Sequence, residues 1–386
     1  MTAQHYLDEH HVRHREWRRS LHQQPELAFH EHKTSDFICA RLTEMGIPFI
    51  RGLGGTGVVA TLEGKGDGPT IGLRADIDAL PIHEETNLPY RSQHPGKSHA
   101  CGHDGHTTML LAAADYLAKS RDFRGRVRFI FQPAEEAEGG ARKMIEDGLF
   151  RDFAVDAVFG LHNWPGLPKG KMAVKPGAVM ASMDLFVITI RGKGVHAAMP
   201  HLGNDVIVAA GAIISSVQSI VSRSIDAREA TVVSFTQVHA GETLNVLPEE
   251  CRILGTIRAL SAKSAEAAGL RLKQICEGIC SAHGVTGSVA LDHRYPVTVN
   301  DPVSAAYAAT VAGELWGPDN TDKDYKASMA SEDFAFMLNE VPGSYAWIGT
   351  GTDVPLHNPA FDFNDELIPL GARYWIGLVE NWDRKA

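Results

Sequence analysis

Cysteine is scarce: the 386 residues hold five, Cys39, Cys101, Cys251, Cys276 and Cys280. An odd, widely spaced set argues against a disulfide framework, and most of the five read as small buried apolar residues. Positive charge is also short. Lys and Arg number 37 against 47 Asp and Glu, a formal charge of -10, so a grip on phosphate backbones would work against the mean field. Nucleic acid is therefore not an expected partner. Long apolar runs are missing too: the longest, Val206 to Val221, is broken by Gly, Ser and Gln and falls short of the about 20 residues that span a bilayer. No membrane span is expected. The opening residues Gln4, His5, Asp8, Glu9 and His10 lack the basic-then-apolar order of a secretory leader, so the expected location is cytoplasmic. Repeats and low-complexity tracts are absent, and 37 Gly and 19 Pro lie scattered, which excludes collagen-like and disordered classes.

What is present is enough apolar residue, 44% of the chain, for two or three domains. Apolar residues at helical separations predict helices over Tyr6 to Leu21 and Lys33 to Met45, split by Pro25. The seven early histidines, His5, His10, His11, His14, His22, His30 and His32, fall at no single ligand spacing and read as a solvated helical face. Short β-branched runs at Val58 to Leu62, Thr70 to Arg74, Val127 to Phe131 and Ala157 to Leu161 alternate with helical stretches at His106 to Ala118 and Ala141 to Asp147. That alternation predicts an α/β fold, a mainly parallel sheet flanked by helices. Between Met183 and Tyr295 the order becomes β-α-β-β-α-β, the unit of a ferredoxin-like α+β layer. The expected organisation is a discontinuous domain, 1–182 with 297–386, interrupted by an inserted domain, 183–296. Gly52 to Gly57 matches a dinucleotide fingerprint formally, but a strand follows where the motif needs a helix, so it reads as a turn.

Ligands of parallel α/β sheets sit beyond the carboxyl ends of the strands. The residues just past the expected strands here are Asp76 and Asp78, then Glu135 and Glu136 after a Pro turn, then His162. The segment Cys101-Gly102-His103-Asp104-Gly105-His106 adds thiol, imidazole and carboxylate in a Gly-spaced loop, and His357 lies in the Pro-bounded loop Pro355 to Pro359. Each has a plainer reading alone: a solvated acidic pair, a structural thiol, a loop imidazole. Together they form a mixed S, N and O donor set suited to zinc, or to manganese and its neighbours where carboxylate dominates.

The segments Arg74 to Pro81, Ala100 to Thr107, Gln132 to Glu136, Gly160 to His162, Gly194 to Pro200 and Ser331 to Phe334 resemble the dinuclear metallopeptidase family of aminoacylases and glutamate-releasing carboxypeptidases. The Cys-Gly-His-Asp-Gly-His loop is similar to its hippurate hydrolase and indole-acetyl-amino acid hydrolase branch. The resemblance implies two divalent metal ions per subunit, zinc or manganese with cobalt or nickel as alternatives. It implies Cys101, His103, Glu136, His162 and His357 as ligands, Cys101 bridging, with Glu135 as general base. In the wider family a His-x-Asp motif supplies a ligand and its orienting carboxylate, whereas here Asp76 stands where that His would be, so His103 takes over. The resemblance also implies that His196 reaches a second copy's site, and that Arg258 and Asn245 bind a substrate carboxylate. Asp76, Asp78, Asp104, His106 and Glu332 are then supporting residues that orient ligands. The resemblance further implies that the inserted domain acts as lid and dimerisation module, so a homodimer or tetramer is expected.

The activity so implied is hydrolysis of N-acyl-amino acids, hippurate-like ones first. A dipeptidase or carboxypeptidase on the same site is the nearest alternative. A metal-dependent binding protein without catalysis is a further one, disfavoured by Glu135 beside Glu136.

Overall fold

The alternation of β-branched runs and amphipathic stretches folds, in the computed structural model describing residues 1–136 and 139–382, into two units. The first takes in Met1–Gly177, Val299–Lys326 and the chain from Asp333 onward. The second takes in Ala178–Thr298 and Ala327–Glu332. That last short return was not expected from the sequence. It joins the second unit because the Ser328 backbone donates to Val179 O at 2.8 Å and the Ala181 N–H donates to Ser328 O at 3.1 Å.

In the first unit the chain runs through α1 (Ala3–Gln23), α2 (His32–Glu44), β1 (Phe49–Leu53), β2 (Gly57–Glu63), β3 (Thr70–Asp76), α3 (His103–Ser120), β4 (Arg126–Gln132), α4 (Gly140–Glu146) and β5 (Ala157–Trp164). One eight-stranded sheet has the order β1-β2-β4-β3-β5, then Gly343–Gly349, Met172–Ala173 and Thr321–Asp322. Strand β3 pairs in parallel with both β4 and β5, and β5 pairs in parallel with Gly343–Gly349, while β1 and β2 close one edge antiparallel. Leu73, Phe129, Phe131 and Phe159 from the strands pack with Leu110, Leu111 and Trp375 from the helices, all buried. Each such side chain contributes roughly 1.5–3 kcal/mol by leaving water. The segment Gly52 to Gly57 spans the end of β1, the hairpin turn and the start of β2, so a strand follows the turn and no helix N-terminus is there for a pyrophosphate.

Two local expectations need correction. His14 and His22 on α1 are fully buried rather than solvated, because each finds a carboxylate: Asp115 at 3.4 Å from His14 Nε2 and Asp104 at 2.8 Å from His22 Nδ1. Helix α3 begins at His103, not His106, so most of the supposed loop is its first turn. Gly102 makes this start possible with φ +93°, a left-handed conformation that costs residues with a Cβ. A Cβ there would also stand 2.2 Å from Asn163 Oδ1, and one on Gly105 would stand 2.3 Å from the Phe363 ring. Glycine spacing in this motif is thus a packing requirement.

The second unit is a ferredoxin-like layer. Its antiparallel sheet has the order Thr231–Ala240, Glu250–Ala259, Met183–Arg191, Thr286–Tyr295. The helices Val206–Val217 and Ala262–Ala282 bury Ile213, Val217, Leu272 and Cys276 against Ile188, Ile253 and Ile257. The apolar helical run is longer than expected: Val206–Ser224 spans 19 residues, enough by length and composition to cross a membrane. Its inner face, Val206, Ala209, Ala210, Ile213, Val217 and Ile220, belongs instead to this core.

Candidate metal and catalytic site

The parallel pairing of β3, β4 and β5 brings their carboxyl ends to one edge of the first unit, so Asp76, Gln132 and His162 are delivered side by side. The first turn of α3 adds His103 and His106 from the flank. The donor atoms converge in overlapping groups: Asp76 with His103, His106 and His162; His103 with Glu135 and Glu136; Cys101 with Glu136 and His357. Within each group these atoms lie within 4.8 Å of one another, close enough for a shared cation.

The imidazoles are set up unequally. His162 is anchored through Nδ1, which donates to Asn163 O at 2.7 Å, and its Nε2 lies 3.4 Å from Cys101 Sγ. His103 is anchored through Nδ1 at 3.1 Å from Asp78 Oδ1, and its buried Nε2 has no hydrogen-bond partner among the described residues. An imidazole held through Nδ1 with Nε2 turned to neighbouring donors is the arrangement a metal ligand needs. The buried Glu136 Oε1 likewise lacks a hydrogen-bond donor, standing 3.2 Å from His357 Nε2 and 3.9 Å from His103 Nε2. His106 is different, since both of its nitrogens are engaged. Its Nδ1 lies 2.6 Å from Asp76 Oδ1, and its Nε2 accepts the Asn163 backbone N–H at 3.1 Å.

Electrostatics fit a cation at this edge. Burial, then the Glu136, Glu135 and Asp76 carboxylates, push the Cys101 thiol well above its ordinary range, so the thiolate needs a positive charge beside it. Burial and then the neighbouring His106 hold His162 well below its ordinary range, leaving it neutral with a lone pair to give. Burial would push Asp76 up, but His103, Arg74 and His106 outweigh it and keep its carboxyl well below the usual range. An S, N and O donor set with orphaned buried lone pairs matches what a pair of divalent ions requires.

The sequence of this chain matches the profile described as Peptidase family M20/M25/M40 over residues 72–381. The chain belongs to that family. It is 42% identical over 362 residues to a hippurate hydrolase of Campylobacter jejuni, covering 94% of each chain. An N-acetylcysteine deacetylase of Bacillus subtilis is 40% identical over 368 residues, again with 94% of each covered. Among solved structures, the Bacillus subtilis YXEP protein, a dinuclear metal-binding peptidase from the M20 family, superposes with a TM-score of 0.86. It is 37% identical, covering 98% of this chain and 100% of that one. This M20 member is a metal-dependent amidohydrolase.

One expected residue, Asp104, lies off the edge just described. It points into a buried network in which Arg18 Nη1 lies 3.4 Å and His22 Nδ1 2.8 Å from its carboxylate. His196, Asn245, Arg258 and Glu332 belong to the second unit. There His196 pairs with Val246 in a two-stranded ribbon, and the Ala197 N–H donates to Asn245 O at 2.9 Å, so His196 and Asn245 are neighbours. Arg258 is half-buried on Glu250–Ala259, where burial lowers its pKa. Glu332 is buried.

Sequence reasoning missed the residues that hold the M20 donors in place. Arg74, fully buried, donates to Gln132 Oε1 at 2.7 Å, Asp76 Oδ2 at 2.8 Å and Asp333 Oδ1 at 3.2 Å. Asp333, neighbour of the expected Glu332, also accepts from Gln132 Nε2 and from the Ala141 N–H, closing the chain around Glu135 and Glu136. A guanidinium inside the apolar strand Ile71 to Ala75 was the available clue.

Proposed function

We propose that this M20 hydrolase cleaves N-acyl-amino acids, hippurate-like compounds foremost, into a carboxylic acid and a free amino acid. The observation that carries the reading is the pair Glu135 and Glu136. Glu136 faces the Cys101 and His357 donors as well as His103, and Glu135 joins it at His103. A ligand shell uses one carboxylate there, and proton transfer uses a second. The kinship with proteins named hippurate hydrolase and N-acetylcysteine deacetylase supports the substrate class.

In this reading Cys101, His103, Glu136, His162 and His357 hold two divalent ions, zinc or manganese, with cobalt and nickel as alternatives. Such ions, when bound, lower the pKa of a water from about 15.7 toward 7 and polarise an amide carbonyl. Glu135 takes the water's proton and passes it to the leaving nitrogen. Asp78 keeps the His103 ring in the tautomer that offers Nε2, and the Asn163 carbonyl does the same for His162. Arg258 and Asn245 grip the carboxylate of the leaving amino acid. His196 from a second copy donates to the developing oxyanion, which makes a homodimer through the second unit the working assembly.

The test is amino acid release from N-acyl-amino acids and plain dipeptides, using protein stripped by chelator and restored with zinc, manganese or cobalt. Restored release from acyl-amino acids is expected. A preference for dipeptides would favour the dipeptidase reading, and metal uptake without release would favour a binding protein. Glu135→Gln should lower kcat by about 10²–10⁴-fold, the range for losing general base catalysis, and turnover equal to the parent's would remove Glu135 from that role.

A further inference from the structure

Ala134, the residue before the glutamate pair, has φ +53°, a left-handed conformation that costs a Cβ-bearing residue roughly 1–2 kcal/mol. Something must hold it there. Its backbone N–H donates to Glu31 Oε1 at 2.9 Å. Glu31 comes from the N-terminal boundary of α2, 103 residues away in sequence, yet its side chain makes no bond to its own helix end. It is fully buried, and it accepts three hydrogen bonds: from Ala134, from the Phe29 N–H at 3.0 Å and from the Thr56 hydroxyl at 2.6 Å. No Lys, Arg or His forms an ion pair with it among the described residues.

A buried carboxylate without a counter-charge is expensive, and burial accordingly raises the Glu31 pKa to about 7. All three of these partners are donors, so the geometry uses the ionised form. Neighbouring backbone is tied in the same manner. Asp78 Oδ2 accepts the Glu136 N–H at 3.0 Å, and Asp333 Oδ2 accepts the Ala141 N–H at 2.8 Å. Among the described residues Glu31 hydrogen-bonds to none of the donor residues, whereas Asp78 bonds to His103 and Glu136.

We propose that Glu31 is a positioning residue: by holding Ala134 in its left-handed turn, it sets where the Glu135 carboxylate stands relative to the donors. The proposal rests on the reading of Glu135 as the base. Displacement of a reacting group by about 1 Å can cost about 10²-fold in rate, so the effect is kinetic more than structural.

The experiment compares the parent with Glu31→Ala, Glu31→Gln and Thr56→Val, each alone and with Glu135→Gln, on an N-acyl-amino acid. Glu31→Ala should lower kcat about 10- to 100-fold with KM within about threefold and bound metal per subunit unchanged. Glu31→Gln retains an acceptor for Ala134 and should recover most of that loss. Thr56→Val, which removes one donor and leaves the Ala134 bond, should fall between. Amide exchange of the full-length protein, read at Ala134, should be faster in Glu31→Ala than in the parent. In the Glu135→Gln background Glu31→Ala should give no further loss of kcat.

A kcat for Glu31→Ala within about twofold of the parent overturns the proposal, taking twofold as the margin of additive behaviour. So does a loss that tracks lost metal, a full multiplicative loss in the Glu135→Gln background, or unchanged exchange at Ala134. Full activity of Glu135→Gln by itself would instead overturn the base reading. The two failures are therefore told apart.

Discussion

Gly102→Ala tests whether the helix start at His103 is what aligns the donors. The new methyl meets two separate penalties. At φ +93° the backbone conformation alone should cost an alanine about 1–2 kcal/mol. The Cβ would also lie 2.2 Å from Asn163 Oδ1, 3.0 Å from its Cγ and 3.2 Å from its Nδ2. Asn163 cannot swing outward, being fully buried with its amide oxygen 2.6 Å from His106 Nε2. Overpacking of this kind adds about 1–3 kcal/mol, so the combined loss should be about 2–5 kcal/mol. Urea unfolding followed by tryptophan fluorescence suits the measurement, because Trp17, Trp164, Trp316, Trp347, Trp375 and Trp382 all belong to the first unit. In an Asn163→Ala background the steric share should vanish and only the backbone share remain. A Gly102→Ala protein within about 0.5 kcal/mol of the parent would refute the reasoning, since that is the scale of an unremarkable surface change. An equal loss in both backgrounds would refute the contact with Asn163.

Three further outcomes are expected. Burial alone would lower the His22 pKa, but the charge and hydrogen bond of Asp104, then Glu84, outweigh it and hold His22 at about 9. Its stabilisation is therefore full below its ordinary pKa of about 6.5 and is lost as pH rises through about 9. Relative to His22→Gln, the parent should lose about 3 kcal/mol across that window, and parallel stability curves would refute it. Arg74→Met leaves Asp76 and Asp333 buried without their shared cation and should cost about 3–5 kcal/mol in the same fluorescence assay; a neutral result would mean the carboxylates are neutralised otherwise. Cys101→Ser should lower metal retained after dialysis and acyl-amino acid turnover together, and unchanged metal content would exclude a bridging thiolate.

The donors themselves were legible because residue type and strand-end position act locally. Asp76, Glu136 and His162 each follow a readable β-branched run, and parallel pairing then places them on one edge. The β-α-β-β-α-β order was legible for the same reason, since each element carries its own periodicity. What was not legible depends on partners distant in sequence. His14 and His22 look solvated until Asp115 and Asp104 are brought to them, and the start of α3 depends on Gly102 lying against Asn163. Arg74 meets Asp333 across 259 positions, and Glu31 meets Ala134 across 103. In sequence, Glu31 is indistinguishable from a solvated surface acid, and the Ser331 to Phe334 motif does not reveal what Asp333 holds. Asp333 and Glu31 nevertheless hold the chain on both sides of the glutamate pair, through Gln132 and Ala141 in one case and Ala134 in the other. It follows that an M20 relative could keep every donor of the Cys-Gly-His motif and still lose the geometry those donors need. Motif matching alone would class such a chain as an active hydrolase, whereas substitution at Arg74, Asp333 or Glu31 would identify it as impaired.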